Sequence, residues 1–143
     1  MVAIDTNLLV HSHRRDSVHH TEAFDCIQKL SRAYTPWAIC YHSLVEFYGI
    51  VTHPRIWSQA STPEEAKDQI DAWSECPNLR VLTDQKEQLN ELLGLAVNGK
   101  VNGAMIHDAR IASCCLSNGV NELWTVDRDF SRFPRLKTRN PLV

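Results

Sequence analysis

Short unbroken apolar runs alternate along this chain with longer stretches in which apolar residues recur at helical spacing. Val2–Ala3–Ile4, Trp37–Tyr41, Leu79–Leu82 and Glu122–Val126 are runs of the first kind and predict strands, with a last short strand over Leu136–Thr138. Between the first two runs, helical periodicity passes through Leu8, Leu9 and His11–Arg15. It resumes from His20 to Ala33, where Ala23, Phe24, Ile27 and Leu30 recur three and four residues apart, and Pro36 breaks it. Ser43 predicts the cap of a helix running to Thr52, stopped by His53–Pro54. Thr62–Pro63–Glu64–Glu65 is a helix start of defined chemistry: a Thr N-cap, Pro at the first helical position and Glu at the third. That helix reaches Cys76, ahead of Pro77. Asp84 predicts the cap of another, closing near Asn98–Gly99. Lys100–Gly103 reads as a loop, and a last helix runs from Asp108 to Asn118–Gly119. Strands alternating with helices predict βαβ units. The expected fold is α/β, a mostly parallel sheet with helices on both faces, in one domain over residues 1–143.

Composition narrows the classes without choosing among them. With 143 residues, 43% of them hydrophobic and 22% charged, the chain suits a globular core rather than a disordered or coiled-coil chain. No apolar run approaches membrane-spanning length; the best, Leu44–Val51, contains Glu46. Asp5 lies too close to Met1 for a secretory leader, so the expected location is the cytoplasm, away from any membrane. Five cysteines, odd in number and without a C-x-x-C pair, predict reduced thiols, and the histidines show no zinc-binding spacing. Fifteen basic against seventeen acidic residues give a charge of −2, which does not recommend a broadly basic nucleic-acid surface. The distribution changes that picture at one end: from Asp127 onward, Arg128, Arg132, Arg135, Lys137 and Arg139 face only Asp127 and Asp129.

Four acids break the apolar pattern. Asp5 directly follows the first strand and Asp127 the strand ending at Val126, where parallel sheets place ligand-binding residues. Glu46 sits in a helix that reads as apolar nearly all round, so its carboxylate needs a partner, a ligand or a cavity. Asp108 shares a helix face with Ile111, Ala112 and Cys115, opposite Arg110, Ser113 and Ser117. Each has a structural alternative: a helix cap for Asp5 and Asp108, an ion pair with an arginine for Glu46, a turn for Asp127. If both strands are central, all four meet at one sheet edge. Carboxylates in contact repel by roughly 1–4 kcal/mol per pair at 4 Å, so such a cluster calls for cations. All-oxygen donors favour Mg2+ or Mn2+, the usual apparatus of phosphodiester hydrolysis.

The motifs Asp5-Thr6-Asn7-Leu8-Leu9, His107-Asp108-Ala109-Arg110-Ile111-Ala112 and Thr125-Val126-Asp127-Arg128-Asp129-Phe130, with Glu46 in a mid-chain helix, resemble the PIN domain, and within it the VapC-type toxins of toxin–antitoxin pairs. The likeness spans nearly the whole chain, to Asn140-Pro141-Leu142, and lacks none of the family's acids. It implies a three-layer PIN-like fold and a Mg2+- or Mn2+-dependent endoribonuclease that inhibits growth unless a small antitoxin binds it. It also implies a homodimer. Asp5, Glu46, Asp108 and Asp127 would be catalytic, with Asp5, Asp108 and Asp127 as metal ligands. Asp129, Thr6, Asn7 and Thr125 would support them, and Arg128, Arg132 and Arg135 would contact RNA. One alternative keeps the fold without the activity, as a catalytically weak PIN domain binding its antitoxin as co-repressor. Another, an aspartyl-phosphate phosphatase, requires D-x-D-x-T, and here position 7 is Asn.

Overall fold

The computed structural model describes residues 1–143. In chain order it contains β1 (Val2–Ile4), α1 (Thr6–His13), α2 (His20–Arg32), β2 (Trp37–Cys40), α3 (Tyr41–Val51), α4 (Pro63–Ser74), β3 (Leu79–Leu82), α5 (Gln88–Asn98), α6 (Ile106–Ser117), β4 (Glu122–Trp124) and β5 (Thr138–Arg139). Short 3-10 turns cover Gly103–Met105 and Arg128–Arg132. All strand pairs are parallel, in the order β3-β2-β1-β4-β5. Ile4 therefore stands beside both Ile39 and Trp124. The chain steps outward from β1 to β2 and β3, then returns across the sheet to β4. The two directions part at β1, which makes the carboxyl ends of β1 and β4 a topological switch point.

Strand alternation divides the core between two layers. Ala3, Ala38, Cys40, Leu82 and Leu123 face α5 and α6, packing with Leu95, Ala109, Ile111, Ala112 and Cys115. Ile4, Trp37 and Ile39 face the other way, onto Leu8, Leu9, Ala23, Ile27, Phe47 and Trp73 of α1–α4. All five cysteines are free thiols. No helix is long and apolar enough to cross a membrane.

Several boundaries differ from the sequence expectation, each for a local reason. Thr62 forms the full capping box with Glu65. By contrast, α3 begins at Tyr41, two residues before the expected Ser43 cap. Ser43 lies buried inside the helix with its hydroxyl unpaired. Nor is α3 buried all round: Leu44, Phe47 and Val51 pack inward, while Tyr41, Val45 and Tyr48 remain exposed. The helix α5 starts at Gln88 rather than at Asp84, whose carboxylate instead pairs with Arg110 at 2.8 Å. Ser113, expected on a polar surface, is fully buried and accepts a 2.7 Å hydrogen bond from Gln88. The first helix starts at Thr6, α6 starts two residues before Asp108, β4 stops at Trp124, and the last strand falls on Thr138–Arg139.

Candidate active site

Asp5 is the residue at which β1 gives way to α1. Its backbone N–H donates to Trp124 O at 3.0 Å, which ties the exit of β1 to β4. Its side chain is the N-cap of α1, with Oδ1 accepting the Thr6 N–H at 2.8 Å. The other oxygen, Oδ2, accepts the Thr125 hydroxyl at 2.7 Å. That hydroxyl also accepts, from the Asp127 N–H at 3.0 Å and from the Asn7 side-chain amide at 3.3 Å. Thr6 Oγ1 in turn donates to Glu46 Oε1 at 2.9 Å. The three polar residues expected around the acids thus each contact one or orient a group that does.

Asp127 follows β4 and caps the 3-10 turn that begins at Arg128, accepting the Asp129 N–H at 2.8 Å. The turn brings Asp129 back beside it. Asp108 approaches from the first turn of α6 and makes no capping hydrogen bond, so capping does not account for its placement. One carboxylate oxygen from each of Asp108, Asp127 and Asp129 lies within 4.8 Å of the others. Asp129, expected only as support, thus joins the trio. Asp5 lies outside it with both oxygens already accepting hydrogen bonds, and Glu46 approaches from α3 with its side chain 29% exposed. No arginine pairs with Glu46; the nearest cationic candidate is His42 Nε2 at 3.9 Å.

The charges register this crowding. Burial pushes the Asp5 carboxyl up to about 7, against the pull of its Thr125 and Thr6 hydrogen bonds, and the charges of Asp108 and Glu46 raise it further. Asp108 rises to about 6, first through burial and then through the charges of Asp127, Glu46 and Asp129. Two carboxyls held above their ordinary range beside an all-oxygen donor set fit a divalent cation, which would relieve both costs.

Of the basic residues near the carboxyl terminus, Arg128 is exposed and makes no hydrogen bond or ion pair. Arg132 donates to the carbonyls of Gly99 at 2.9 Å and Lys100 at 3.4 Å, and Arg135 pairs with Glu91 at 3.1 Å. Sequence reasoning gave no role to His42. Its Nδ1 lies 3.1 Å from Arg110 Nη1, and burial, seconded by the Arg110 and His107 charges against the pull of Glu46, holds its pKa below the ordinary imidazole value. The only available signal was its position four residues before Glu46.

The family model described as "PIN domain" matches residues 2–136. This chain belongs to the PIN-domain family. Ribonuclease VapC43 of Mycobacterium tuberculosis is 31% identical over 143 residues, covering 99% of this chain and 96% of that protein, which places this PIN domain with the VapC ribonucleases. Two solved structures share the fold. The VapC20 toxin of Mycobacterium tuberculosis, described as cleaving the sarcin–ricin loop, superposes with a TM-score of 0.71 at 13% identity, covering 92% of this chain and 93% of its own. A toxin–antitoxin complex from Klebsiella pneumoniae gives 0.66 at 18% identity, covering 99% and 98%.

Proposed function

We propose that this PIN domain is a Mg2+- or Mn2+-dependent endoribonuclease, the toxin of a toxin–antitoxin pair, active on RNA when its antitoxin is absent. The observation that carries the reading is the convergence of Asp108, Asp127 and Asp129 within 4.8 Å at the switch point, with Asp5 and Glu46 beside them. Similarity to the VapC ribonucleases over the full chain supports it. Asp108, Asp127 and Asp129 would hold the cation, with Asp5 adding charge from the floor. A bound divalent ion supplies Lewis acidity toward the phosphate oxygens and the attacking water. The chain's own part is positional. Thr125 and Thr6 hold the Asp5 carboxylate by hydrogen bonds, and Thr6 aims Glu46, whose partly exposed oxygen can take a proton from water entering the site.

The antitoxin-bound neighbour supports a small protein partner for this chain as well. Pairing of two copies belongs to the same reading. On α5, Leu89, Leu93 and Val97 leave one exposed apolar stripe at helical spacing, the kind of surface homodimers cover. Free thiols and an RNA substrate both suit the cytoplasm.

Asp108→Asn tests the reading. It keeps the side-chain volume, and the loss of a charge from a crowded cluster should leave folding intact. Cleavage of RNA by purified, antitoxin-free protein in millimolar Mg2+ or Mn2+ should fall by orders of magnitude, together with growth inhibition on expression. Asp71→Asn is the control, because Asp71 is exposed and paired only with Lys67, one turn earlier on α4. Cleavage by Asp108→Asn at the wild-type rate would overturn the assignment.

A further inference from the structure

One hydrogen-bonded chain beside the acids ends on a donor with no partner in the protein. Asp84 Oδ2 accepts from Arg110 Nε at 2.8 Å, and Arg110 Nη1 faces His42 Nδ1 at 3.1 Å. His42 Nε2 faces His107 Nδ1 at 3.2 Å. A guanidinium has donors only, so His42 Nδ1 must accept and the neutral ring carries its proton on Nε2. That N–H then donates to His107 Nδ1, which puts the His107 proton on its own Nε2. Arg110 thereby sets the tautomer of two rings in succession. His107 is exposed, makes no hydrogen bond through Nε2, and is the residue immediately before Asp108. The side chain of His42 is only 12% exposed, so the middle of the chain is held by packing as well as by hydrogen bonds.

We propose that His107 binds a phosphate oxygen of the RNA through its Nε2–H, and that Arg110 and His42 are positioning residues that fix this donor. The inference rests on the ribonuclease reading and assigns the substrate contact within it. The contact is a neutral hydrogen bond, because a His107 ring whose Nδ1 accepts from His42 carries a single proton, on Nε2. This separates it from ordinary basic contacts: losing a cation lowers the salt dependence of RNA binding, whereas losing a neutral donor does not.

Long-range nitrogen–proton spectra of the wild type should show the ring protons of His42 and His107 on Nε2. In RNA cleavage, His107→Ala should raise KM about tenfold while kcat stays within about threefold and the salt slope is unchanged. His107→Gln keeps a side-chain donor and should recover part of the loss. Arg110→Met should reproduce the KM rise and release His42 from the Nε2 tautomer, and Arg110→Lys, which keeps one donor toward Nδ1, should restore both. Because His107 is exposed, its variants should fold even if Arg110→Met proves unstable. A His42 proton on Nδ1 in the wild type, or a wild-type KM for His107→Ala, overturns the inference alone. So does an Arg110→Met salt slope lowered by about one, which would make Arg110 itself the phosphate contact. Absence of cleavage by the wild type overturns the ribonuclease reading and this inference together.

Discussion

Thr125 uses its whole hydrogen-bonding capacity at the site: its hydroxyl donates to Asp5 and accepts from the Asp127 N–H and from Asn7. One small side chain therefore orients acids at the ends of two neighbouring strands, and it is 4% exposed. Thr125→Val keeps the shape and strands Asp5 Oδ2 without a partner. Urea unfolding should show a loss of about 1–3 kcal/mol, the cost of an unsatisfied buried polar group, and Thr125→Ser should recover most of it. At this scale the sequence was informative about charge and silent about direction. Asp5, Glu46, Asp108 and Asp127 stood out because a carboxylate interrupts apolar spacing. The hydroxyl network around them depends on rotamers that no spacing encodes, and His42 meets His107 across 65 positions of chain.

Helices and turns were legible where their ends carry side-chain chemistry, as at Thr62, and misjudged where tertiary contacts decide. The periodicity of α3 suggests burial on every side because Val45 and Ile50 flank Glu46 opposite the face of Leu44, Phe47, Tyr48 and Val51, yet Val45 and Tyr48 remain exposed. The carboxyl-terminal arginines show the reverse case, since a basic run reads as free surface until its partners are known. Arg132 closes the end of α5 through the Gly99 and Lys100 carbonyls. At Gly99 a Cβ would stand 3.0 Å from the carbonyl oxygens of Arg132 and Leu95, so the two segments meet without room for a side chain. Arg132→Ala should thus cost about 1–2 kcal/mol of stability, as charged hydrogen bonds to helix-end carbonyls do. Arg128→Ala should change stability by less than about 0.5 kcal/mol and instead lower the salt slope of RNA binding by about one. Chemical denaturation and RNA titration at several salt concentrations separate the two roles.

Across the whole molecule, the site exists because β1 is central. The alternation of strands and helices predicted a parallel sheet, but element order alone does not say which strands are neighbours. Only the pairing of β1 with both β2 and β4 brings Asp5 beside Thr125 and lets α3 and α6, from opposite layers, deliver Glu46 and Asp108 to the same edge. Such a junction stores electrostatic cost, and the sign of its pH dependence follows. Asp5 and Asp108 titrate at about 7 and about 6 in the folded protein, above their unfolded value of 3.8. The native state therefore holds more protons than the unfolded chain between about pH 4 and pH 7. The stability these groups contribute is complete below the unfolded value and falls as pH rises through that window. Buried Asp5 accounts for most of the effect; half-exposed Asp108 adds less, because solvent screens it. In chelator, the wild type should thus lose stability between pH 5 and pH 7.5, and Asp108→Asn should lose less. On the proposed reading, millimolar Mg2+ or Mn2+ would bind only the ionised, folded site. At pH 7.5 it should return about 2.7 kcal/mol if present at a hundred times its dissociation constant. At pH 5, where protons occupy the same carboxyls, the gain should be much smaller, and Asp108→Asn should gain little at either pH. An equal gain at both pH values in thermal or urea unfolding would mean that the cation binds elsewhere than among these acids.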